Sequence, residues 1–563
     1  MKRKLFSILT ASFKCAIIIF IVSVNSSANA QSKDFKTAKN LEIQYNILRE
    51  LSQKYVDTVN LDKLVNKGIE AMLQSLDPYT EYIPDEDSDA IELMTTATYG
   101  GVGALINKQD SAGVLISEPY LNSPASKNGL EPGDIILKIN GEDIIPLNAS
   151  ESSDKMKGQP GTEVKFLVKK GRTGETKEIK ITRERIHISD LSFYGILEGE
   201  KWIEKNDSSN IKKIGYLKLD GFTVNGSKEV KKAVQDLKNR GADKLVLDLR
   251  GNGGGLMEEA INIISLFVPK GTEVVSQMGR DSSSLIKYKT LEEPIDTIIP
   301  LLVLVNSGSA SSSEIVAGSL QDLDRATIAG TRTFGKGLIQ LTSPVGYNGV
   351  MKFTIAKYYI PSGRCIQAID YEHRNEDGSV GAVPDSLKKA FKTKNGRIVY
   401  DGGGITPDIE IKSQPYSRQL VSLVFNNIIN DYAIEYYKKH DSIAKPDVFK
   451  LSDSDYEEFV TFASSKNFDT RSSSQILLEQ MIKSAKSEDL YNINKEELDS
   501  LEKKLSMTKE QTLKIKRAEI QPVIEQEIVT KYYYTPGRIE TIIQSDEQLH
   551  KAIQKSNCYK ITF

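Results

Sequence analysis

The chain has 563 residues, of which 39% are apolar and 27% charged, with 74 basic against 76 acidic side chains. This balance is typical of a folded protein of three or four units and excludes disorder throughout. The net charge of −2 gives no electrostatic reason to expect a nucleic acid partner. Three cysteines and four scattered histidines predict neither a disulfide scaffold nor a metal site, so no metal or other cofactor is expected.

Residues 1–30 have the layout of a secretory signal peptide. Basic residues at positions 2–4 precede an apolar stretch that is cleanest over 15–24, and a small-residue motif ends at Ala30. The clean apolar stretch is shorter than the roughly 20 residues that span a bilayer, so export with cleavage near Ala30 is favoured over a membrane anchor. We therefore expect a protein of the periplasm or cell envelope.

Residues 31–85 are predicted to be helical, because apolar side chains such as Leu41, Tyr45 and Leu48 recur at helical spacing until Pro78. Short strands and turns follow over 86–186.

Within 86–186, a glycine-rich loop runs into a strand, and the run 130–141 gives a turn, an alternating strand and an Asn-Gly turn. This order resembles a PDZ domain. Such domains bind the C-terminus of a peptide as an added strand, while a nest of backbone N–H groups holds its carboxylate. The resemblance assigns that carboxylate loop to Gly100, Gly101, Val102 and Gly103.

Residues 187–412 repeat strand, turn and helix, which predicts an α/β domain. A buried strand over 244–249 runs into the glycine-rich turn 250–255, and a second over 299–305 is followed by the serine-rich turn 306–314. Loops at the carboxyl ends of such strands are where sites are usually built. Residues 413–563 are rich in lysine and glutamate, and we expect a C-terminal helical extension there.

Two familiar enzyme motifs fail in this domain. The stretch 330–336 fits a P-loop, but Gly337 stands where a magnesium-binding hydroxyl is needed. A Ser-His-Asp triad would need a histidine, and His373 lies in a polar loop. What remains is the serine cluster 311–314 at a helix start, which also fits a capping box, and Lys336 between two glycines, which also fits a surface turn. A lysine that acts as a general base must be uncharged, which burial can enforce.

The ordered set of motifs resembles the carboxyl-terminal processing (tail-specific) peptidases, PDZ-containing serine proteases with a Ser–Lys dyad. The matching stretches are Leu76–Tyr79, the PDZ segment, Asp248–Gly255, Asn306–Ile315, Gly330–Gln340, Tyr359–Arg364 and Gly404–Asp408. The resemblance implies an α/β multidomain fold, with the PDZ-like domain placed before a crotonase-like or ClpP-like protease core.

The resemblance also implies the site residues. Ser311 is then the nucleophile and Lys336 the general base, with Gln340 orienting the lysine. The N–H groups of Gly254 and Ser312 form the oxyanion hole. The family commonly has alanine at the position of Ser312, so the extra hydroxyls leave open which serine attacks.

Three functions stay open at this point. The leading hypothesis is an exported serine endopeptidase that recognises protein C-termini and processes or degrades envelope proteins. The alternatives are a catalytically inactive PDZ scaffold and a Ser–Lys hydrolase of small amides or peptidoglycan. Four roles stay open for the helical ends, 31–85 and 413–563. They could pack on the core, form a substrate cradle, form the interface of a homodimer, or provide an adaptor-docking surface. A polar insert over 368–403, usually absent from the family, is expected to be a surface loop.

Overall fold

The computed structural model describes residues 34–85, 88–109, 113–198, 213–375, 377–412 and 414–558. The predicted signal peptide, 1–30, lies outside the described residues. Within them, no helix has both the length and the hydropathy that a membrane crossing needs. The same residues contain no cluster of three or more His, Cys, Asp or Glu side chains that could hold a metal ion.

The helices are α1 (34–54), α2 (Leu61–Gln74), α3 (Ser88–Thr96), α4 (Pro124–Lys127), α5 (Ala149–Met156), α6 (Gly226–Asn239), α7 (Met257–Ser265), α8 (Ser312–Asp322), α9 (Arg418–Phe425), α10 (Ile428–Lys439), α11 (Asp453–Ser464), α12 (Ser473–Ser487), α13 (Lys495–Leu505), α14 (Lys509–Ile515), α15 (Arg517–Ser545) and α16 (Glu547–Cys558).

The strands are β1 (Glu81–Ile83), β2 (Thr98–Gly101), β3 (Ala104–Gln109), β4 (Gly113–Pro119), β5 (Ile135–Ile139), β6 (Glu142–Asp143), β7 (Glu163–Lys169), β8 (Thr176–Thr182), β9 (Glu184–His187), β10 (Leu191–Glu198), β11 (Lys213–Leu219), β12 (Lys244–Asp248), β13 (Glu273–Met278), β14 (Ile286–Lys289), β15 (Leu301–Val305), β16 (Thr327–Gly330), β17 (Leu338–Gly346), β18 (Gly349–Tyr359), β19 (Ile369–Arg374), β20 (Val380–Ala382), β21 (Ala390–Lys392), β22 (Ile398–Tyr400) and β23 (Ile409–Glu410).

The chain forms two compact units, and the smaller one contains the N-terminal helices and the segment Thr342–Phe353. Asn60 caps its helix α2: the Asn60 side chain accepts the N–H of Lys63 and so satisfies one of the free donors of the first turn. After α2, the Asp77 carboxylate accepts the N–H groups of Tyr79 and Thr80, both at 2.9 Å. The family-like stretch Leu76–Tyr79 is therefore a capped turn that leads into β1.

The PDZ-like domain lies in the larger unit and is built on a sheet with the strand order β3-β4-β5-β7-β8. In β7, Val164, Phe166 and Val168 are buried and alternate with more exposed residues, as the period of a half-buried strand requires. Strand β3 pairs with β4 and lies at one end of this order, so it is the edge strand that follows the predicted carboxylate loop.

The protease-like core is a six-stranded sheet with the order β10-β11-β12-β15-β16-β23. Strand β10 is antiparallel to β11, and the other neighbours are parallel. Alternate residues of β12 face opposite sides: Leu245 and Leu247 join one apolar core with α6, α7 and α8, while Val246 joins another with α16. The sheet therefore has helices on both faces, and the C-terminal helix α16 supplies part of the second layer.

The C-terminal helices build their own core around Tyr432, Phe459 and Ile524. Helix α15 bends at Tyr534, whose φ of 59° and ψ of −170° are not helical. Beyond the bend, Ile543 and α16 pack on the core sheet, and the Arg250 guanidinium meets the Asp546 carboxylate at 2.6 Å. The predicted helical extension is therefore docked on the α/β core.

The polar insert, 368–403, is not an irregular surface loop. It forms two β-hairpins, one from β19 and β20 and one from β21 and β22. The second hairpin is anchored to the core because the Arg397 side chain donates to Asp324 at 2.6 Å and to Asp408 at 2.5 Å.

Candidate active site

The glycine-rich turn after β12 is held by a buried carboxylate. The Asp248 carboxylate accepts hydrogen bonds from the backbone N–H of Arg250 at 3.0 Å, from the Arg250 guanidinium, and from the Tyr216 hydroxyl at 2.7 Å. Burial alone would raise the pKa of Asp248, but the Arg250 charge and these hydrogen bonds hold it below its ordinary value. The Asp-Leu-Arg part of the motif therefore shapes the turn and ties it to α16 through Asp546.

Asn252, which sequence reasoning did not identify as a site residue, joins this turn to the serine-rich turn after β15. It is fully buried, and its side-chain oxygen accepts the Gly254 N–H at 2.9 Å. Its backbone carbonyl accepts the Ala310 N–H at 3.0 Å and the Ser313 hydroxyl at 2.9 Å. One residue therefore sets the distance between the two turns.

Gly254 lies directly against the serine turn. A side chain here would place its Cβ 2.7 Å from the Ala310 carbonyl oxygen and 2.8 Å from the Ser311 Cβ, and the φ of +99° also favours glycine. The Gly254 N–H donates to the Asn252 side chain, so it can donate to an oxyanion only if this hydrogen bond is replaced by one to the oxyanion. The pairing of Gly254 with the Ser312 N–H as an oxyanion hole stays a prediction.

Ser311 lies at the start of α8 in a strained conformation, with φ 54° and ψ −115°. A non-glycine residue in such a region costs about 1–3 kcal/mol and persists only where the surroundings impose it. A nucleophilic serine on a sharp strand-to-helix turn has this kind of exposed, strained position. The Ser311 side chain is half-buried, so it remains accessible.

The neighbouring hydroxyls are committed elsewhere. Ser309, Ser312 and Ser313 are buried, and they donate to backbone carbonyls at 2.8, 2.8 and 2.9 Å, respectively. These serines therefore act as connections between the turns after β12 and β15.

Glu314 has a larger role than the helix cap that the sequence suggested. It is fully buried and accepts four hydrogen bonds, from the backbone N–H groups of Ser311 (3.0 Å), Gly335 (2.7 Å) and Lys336 (2.8 Å) and from the Thr333 hydroxyl (2.5 Å). Burial raises its pKa to about 7, against the opposing effect of these donors. Since the Ser311 and Lys336 nitrogens share one carboxylate oxygen, they lie within about 6 Å of each other.

The Tyr358 hydroxyl makes a second connection between the same two residues. It donates to the Lys336 carbonyl at 2.7 Å and also lies 3.3 Å from the Ser311 carbonyl. The side chain is 1% exposed, and burial raises its pKa well above the ordinary value, so it stays a donor. The sequence carried no signal for Tyr358 in the site, because it lies on β18, far along the chain from Ser311.

Lys336 itself is half-buried in a turn whose packing requires glycine. A Cβ on Gly335 would lie 2.4 Å from the Ala368 Cβ, and the φ of this glycine is +89°. Gln340 follows on β17, where its amide donates to the Thr354 hydroxyl at 3.2 Å. Its predicted role in orienting Lys336 stays a prediction.

Replacing Tyr358 with phenylalanine is expected to lower kcat about tenfold with a smaller change in KM. The variant loses one tie between the Ser311 and Lys336 backbones, and misplacement of reacting groups reduces the rate more than it reduces binding. Tyr359→Phe, at the adjacent and less buried position, is the control and should keep the wild-type kcat. An unchanged kcat in Tyr358→Phe would show that Glu314 alone holds the two residues.

The predicted carboxylate loop is partly a strand. Gly100 and Gly101 belong to β2 and pair with β9, whereas Val102 and Gly103 form the turn into β3. The carbonyl of Gly103 accepts the Tyr120 N–H at 2.9 Å, which fixes the turn. Peptide binding by these four residues stays a prediction at residue level.

His373, the alternative base, lies on β19 with an exposed side chain and pairs with Asp370 at 2.8 Å. The hydrogen bond that the imidazole donates to the Asp370 carboxylate, together with the charge of that carboxylate, raises the pKa of His373, as expected for a solvated ion pair.

A PDZ domain in front of an α/β core with a strained serine on its central turn defines a class of PDZ-containing serine peptidases. The chain matches Peptidase family S41 over residues 213–374, the PDZ domain over 91–169, and "Probable PDZ-protease, C-terminal helical domain" over 420–555. It belongs to the carboxy-terminal-processing proteases of family S41, which confirms the resemblance and the fold class that the sequence predicted.

Two curated relatives and one solved structure illustrate the similarity. The "Carboxy-terminal-processing protease" of Bartonella bacilliformis is 34% identical over 373 residues, which are 66% of this chain and 81% of the relative. A "Probable CtpA-like serine protease" of Staphylococcus aureus is 32% identical over 362 residues, 64% of this chain and 68% of the relative. The "Photosystem II D1 C-terminal processing protease" structure is 27% identical, with a TM-score of 0.36, and the match covers 65% of this chain and 86% of that one.

Proposed function

We propose that this chain is an exported serine endopeptidase that recognises protein C-termini through its PDZ domain and cleaves with a dyad of Ser311 and Lys336. The observation that carries the proposal is the buried Glu314 carboxylate, which binds the backbone N–H groups of both residues through one oxygen. The commitment of the neighbouring serine hydroxyls to backbone carbonyls supports Ser311 as the nucleophile.

The proposed reaction is acyl transfer to Ser311 followed by hydrolysis. Neutral Lys336, oriented by Gln340, takes the hydroxyl proton while the Ser311 oxygen attacks the scissile carbonyl. The N–H of Ser312, at the start of α8, and that of Gly254 hold the oxyanion. The lysine then gives its proton to the leaving amine, and water releases the acyl group from Ser311.

A fluorophosphonate probe tests this proposal against the inactive scaffold. We expect the wild-type protein to be labelled on Ser311, as located by peptide mass spectrometry, and Ser311→Ala to remain unlabelled. Ser312→Ala is the matched control and should still be labelled. A wild-type protein that resists the probe would favour the scaffold, whereas labelling that persists in Ser311→Ala would place the reactive nucleophile at another residue. A hydrolase of small amides or peptidoglycan would share the label but would have no use for a PDZ domain.

Export is part of the proposal and rests on the layout of residues 1–30. The mature protein is expected in the periplasm or cell envelope and to begin at Gln31. N-terminal sequencing of the fractionated protein checks this, and a retained Met1 would contradict cleavage.

We also include a homodimer through the helical ends. Helix α1 leaves Leu41, Tyr45 and Ile47 more than half exposed, an apolar surface that a second copy could cover. Light scattering of wild-type protein and Tyr45→Asp distinguishes this arrangement from adaptor docking: a dimer should become a monomer in the variant, whereas a monomeric wild type favours an adaptor.

A further inference from the structure

A cavity of about 260 Å³ lies beside the turn that carries Lys336. Arg332 borders it on the side of the core, and the insert over 368–403 supplies much of the rest. The lining includes four charged side chains and a glycine at the base of the insert: Arg332, Asp385, Lys388, Asp401 and Gly403.

Both ends of the insert touch the catalytic turn. The Ala368 N–H donates to the Gly335 carbonyl at 2.9 Å, and a Cβ on Gly404 would lie 2.7 Å from the Thr333 carbonyl oxygen. The hairpins are therefore built directly on the segment that leads into Lys336.

Exposure alternates along that segment. Arg332 and Phe334 are exposed and Lys336 is half-buried, whereas Thr333 and Gly335 are buried. Arg332 lies four residues before Lys336, so their Cα atoms are at most about 15 Å apart, a distance that about four residues of an extended substrate would span.

The cavity contains two converging cations. The space in front of Gly403, where a Cβ would stand, is 3.1 Å from an Arg332 guanidinium nitrogen and 3.2 Å from the Lys388 ammonium. Lys388 also pairs with the exposed Asp385 at 2.6 Å, and Asp401 accepts the backbone N–H of Lys389 at 2.7 Å.

Arg332 differs from Lys388 in its partners. In the part of the chain that the structure describes, its guanidinium makes no hydrogen bond or ion pair. The pKa of Asp385 is lowered by the hydrogen bond and the charge of Lys388 and, more weakly, by the charge of Arg332. Both cations therefore stabilise a negative charge at the position of this carboxylate. A planar carboxylate is the group that a guanidinium fork binds best.

We propose that this cavity is a subsite for a carboxylate of the peptide substrate, bound by Arg332 with the help of Lys388. The carboxylate is either the substrate's own C-terminus or an Asp or Glu side chain within about four residues of the scissile bond. The proposal rests on the proposed function, since it assigns part of the substrate specificity of the Ser311 site.

The test uses one fluorogenic peptide sequence without charged side chains, in three forms. The first has a C-terminal amide and the second a free C-terminal carboxylate. The third has a C-terminal amide and a single Asp, which is placed at successive positions on the C-terminal side of the scissile bond. The measured quantity is the ratio of kcat/KM for each acidic form to that of the neutral amide. We expect wild type to prefer an acidic form about tenfold, the value of one charge-assisted hydrogen bond.

Arg332→Gln should bring this ratio close to one, and Arg332→Glu should bring it below one, because the glutamate repels the acidic forms. Lys389→Gln, an exposed lysine of the same insert, should keep the wild-type ratio. The PDZ domain also recognises a free C-terminus, but a loss that follows Arg332→Gln and spares Lys389→Gln reports on the cavity. Preference for the free C-terminus or for Asp identifies the source of the carboxylate.

Binding to Ser311→Ala, followed by fluorescence anisotropy with the same peptides, measures the preference without hydrolysis. An equal ratio in wild type and Arg332→Gln, by rate or by binding, overturns the subsite while the proposed function stands. A wild type that cleaves none of the peptides counts against the proposed function, and the anisotropy ratio then decides the subsite by itself.

Discussion

Replacement of Lys336 by alanine or arginine is expected to abolish peptide hydrolysis, with kcat/KM reduced at least about a thousandfold. The two substitutions fail for different reasons. Alanine removes the base, whereas arginine keeps a long basic side chain but stays protonated at neutral pH and cannot accept the Ser311 proton. Ser311→Ala should have the same effect, because the two residues act as a unit and their losses do not add.

The measurement is cleavage of a fluorogenic peptide by purified variants, with circular dichroism and binding of a C-terminal peptide measured on the same samples. Folding and tail binding should be retained, because neither Ser311 nor Lys336 belongs to the PDZ domain. Lys389→Arg is the matched control for substitution of a lysine and should remain active. Hydrolysis that persists in Ser311→Ala would reject the mechanism.

The parts of the fold that the sequence predicted well are those with local patterns. The run from Leu245 to Leu247 is apolar without alternation, as is typical of a strand covered on both faces, and it forms the middle of the central strand β12, which has helices on both sides. The turns after β12 and β15 follow from their glycines and serines, since a close backbone approach such as that of Gly254 to Ser311 excludes a side chain.

The parts that could not be predicted depend on contacts between distant segments. Tyr358 and Ser311 meet through one hydroxyl across 47 positions, and a tyrosine in a strand has no mark of that role. Helix α16 lies in the predicted helical extension, but the sequence of the extension does not say which sheet this helix covers. The insert was expected to be a surface loop, yet it forms two hairpins, and Arg397 with its two carboxylate partners anchors the second of them to the core.

The role of Glu314 was predictable in part from local spacing and depends in part on contacts with distant segments. Its spacing from Ser311 predicted a capping residue, and the hydrogen bond to the Ser311 N–H agrees with that reading. The same spacing carried no information about Thr333, Gly335 and Lys336, which bring the second turn to the same carboxylate. A local motif thus became the connection between the two predicted catalytic residues.

Glu314→Gln is expected to lower kcat/KM at least about a hundredfold and to destabilise the fold by about 2–6 kcal/mol. The amide nitrogen of glutamine is a donor, so at least one pair of buried groups that now donate to the carboxylate loses its acceptor, at about 1–3 kcal/mol each. Loss of these bonds weakens the contacts that hold Ser311 in its strained conformation, and displacement of the reacting groups by about 1 Å is enough for such a loss of rate.

The stability effect should depend on pH with a definite sign. The pKa of Glu314 is raised by burial from 4.5 to about 7, so the folded protein holds this proton more tightly than the unfolded chain. The corresponding stabilisation is present in full below about pH 4.5 and is lost as the pH rises through 7. The free energy of unfolding of wild type relative to Glu314→Gln should therefore fall, by on the order of 3 kcal/mol, between pH 4.5 and pH 8.

Urea unfolding of both proteins across this pH range measures the difference, in which other titrating groups cancel. Glu258→Gln, an exposed glutamate at the start of α7, controls for the loss of one negative charge and should change neither stability nor rate. A difference independent of pH would mean that Glu314 keeps an ordinary pKa. If Glu314→Gln retained the wild-type kcat, Ser311 and Lys336 would have to be positioned by Tyr358 and the glycine packing alone.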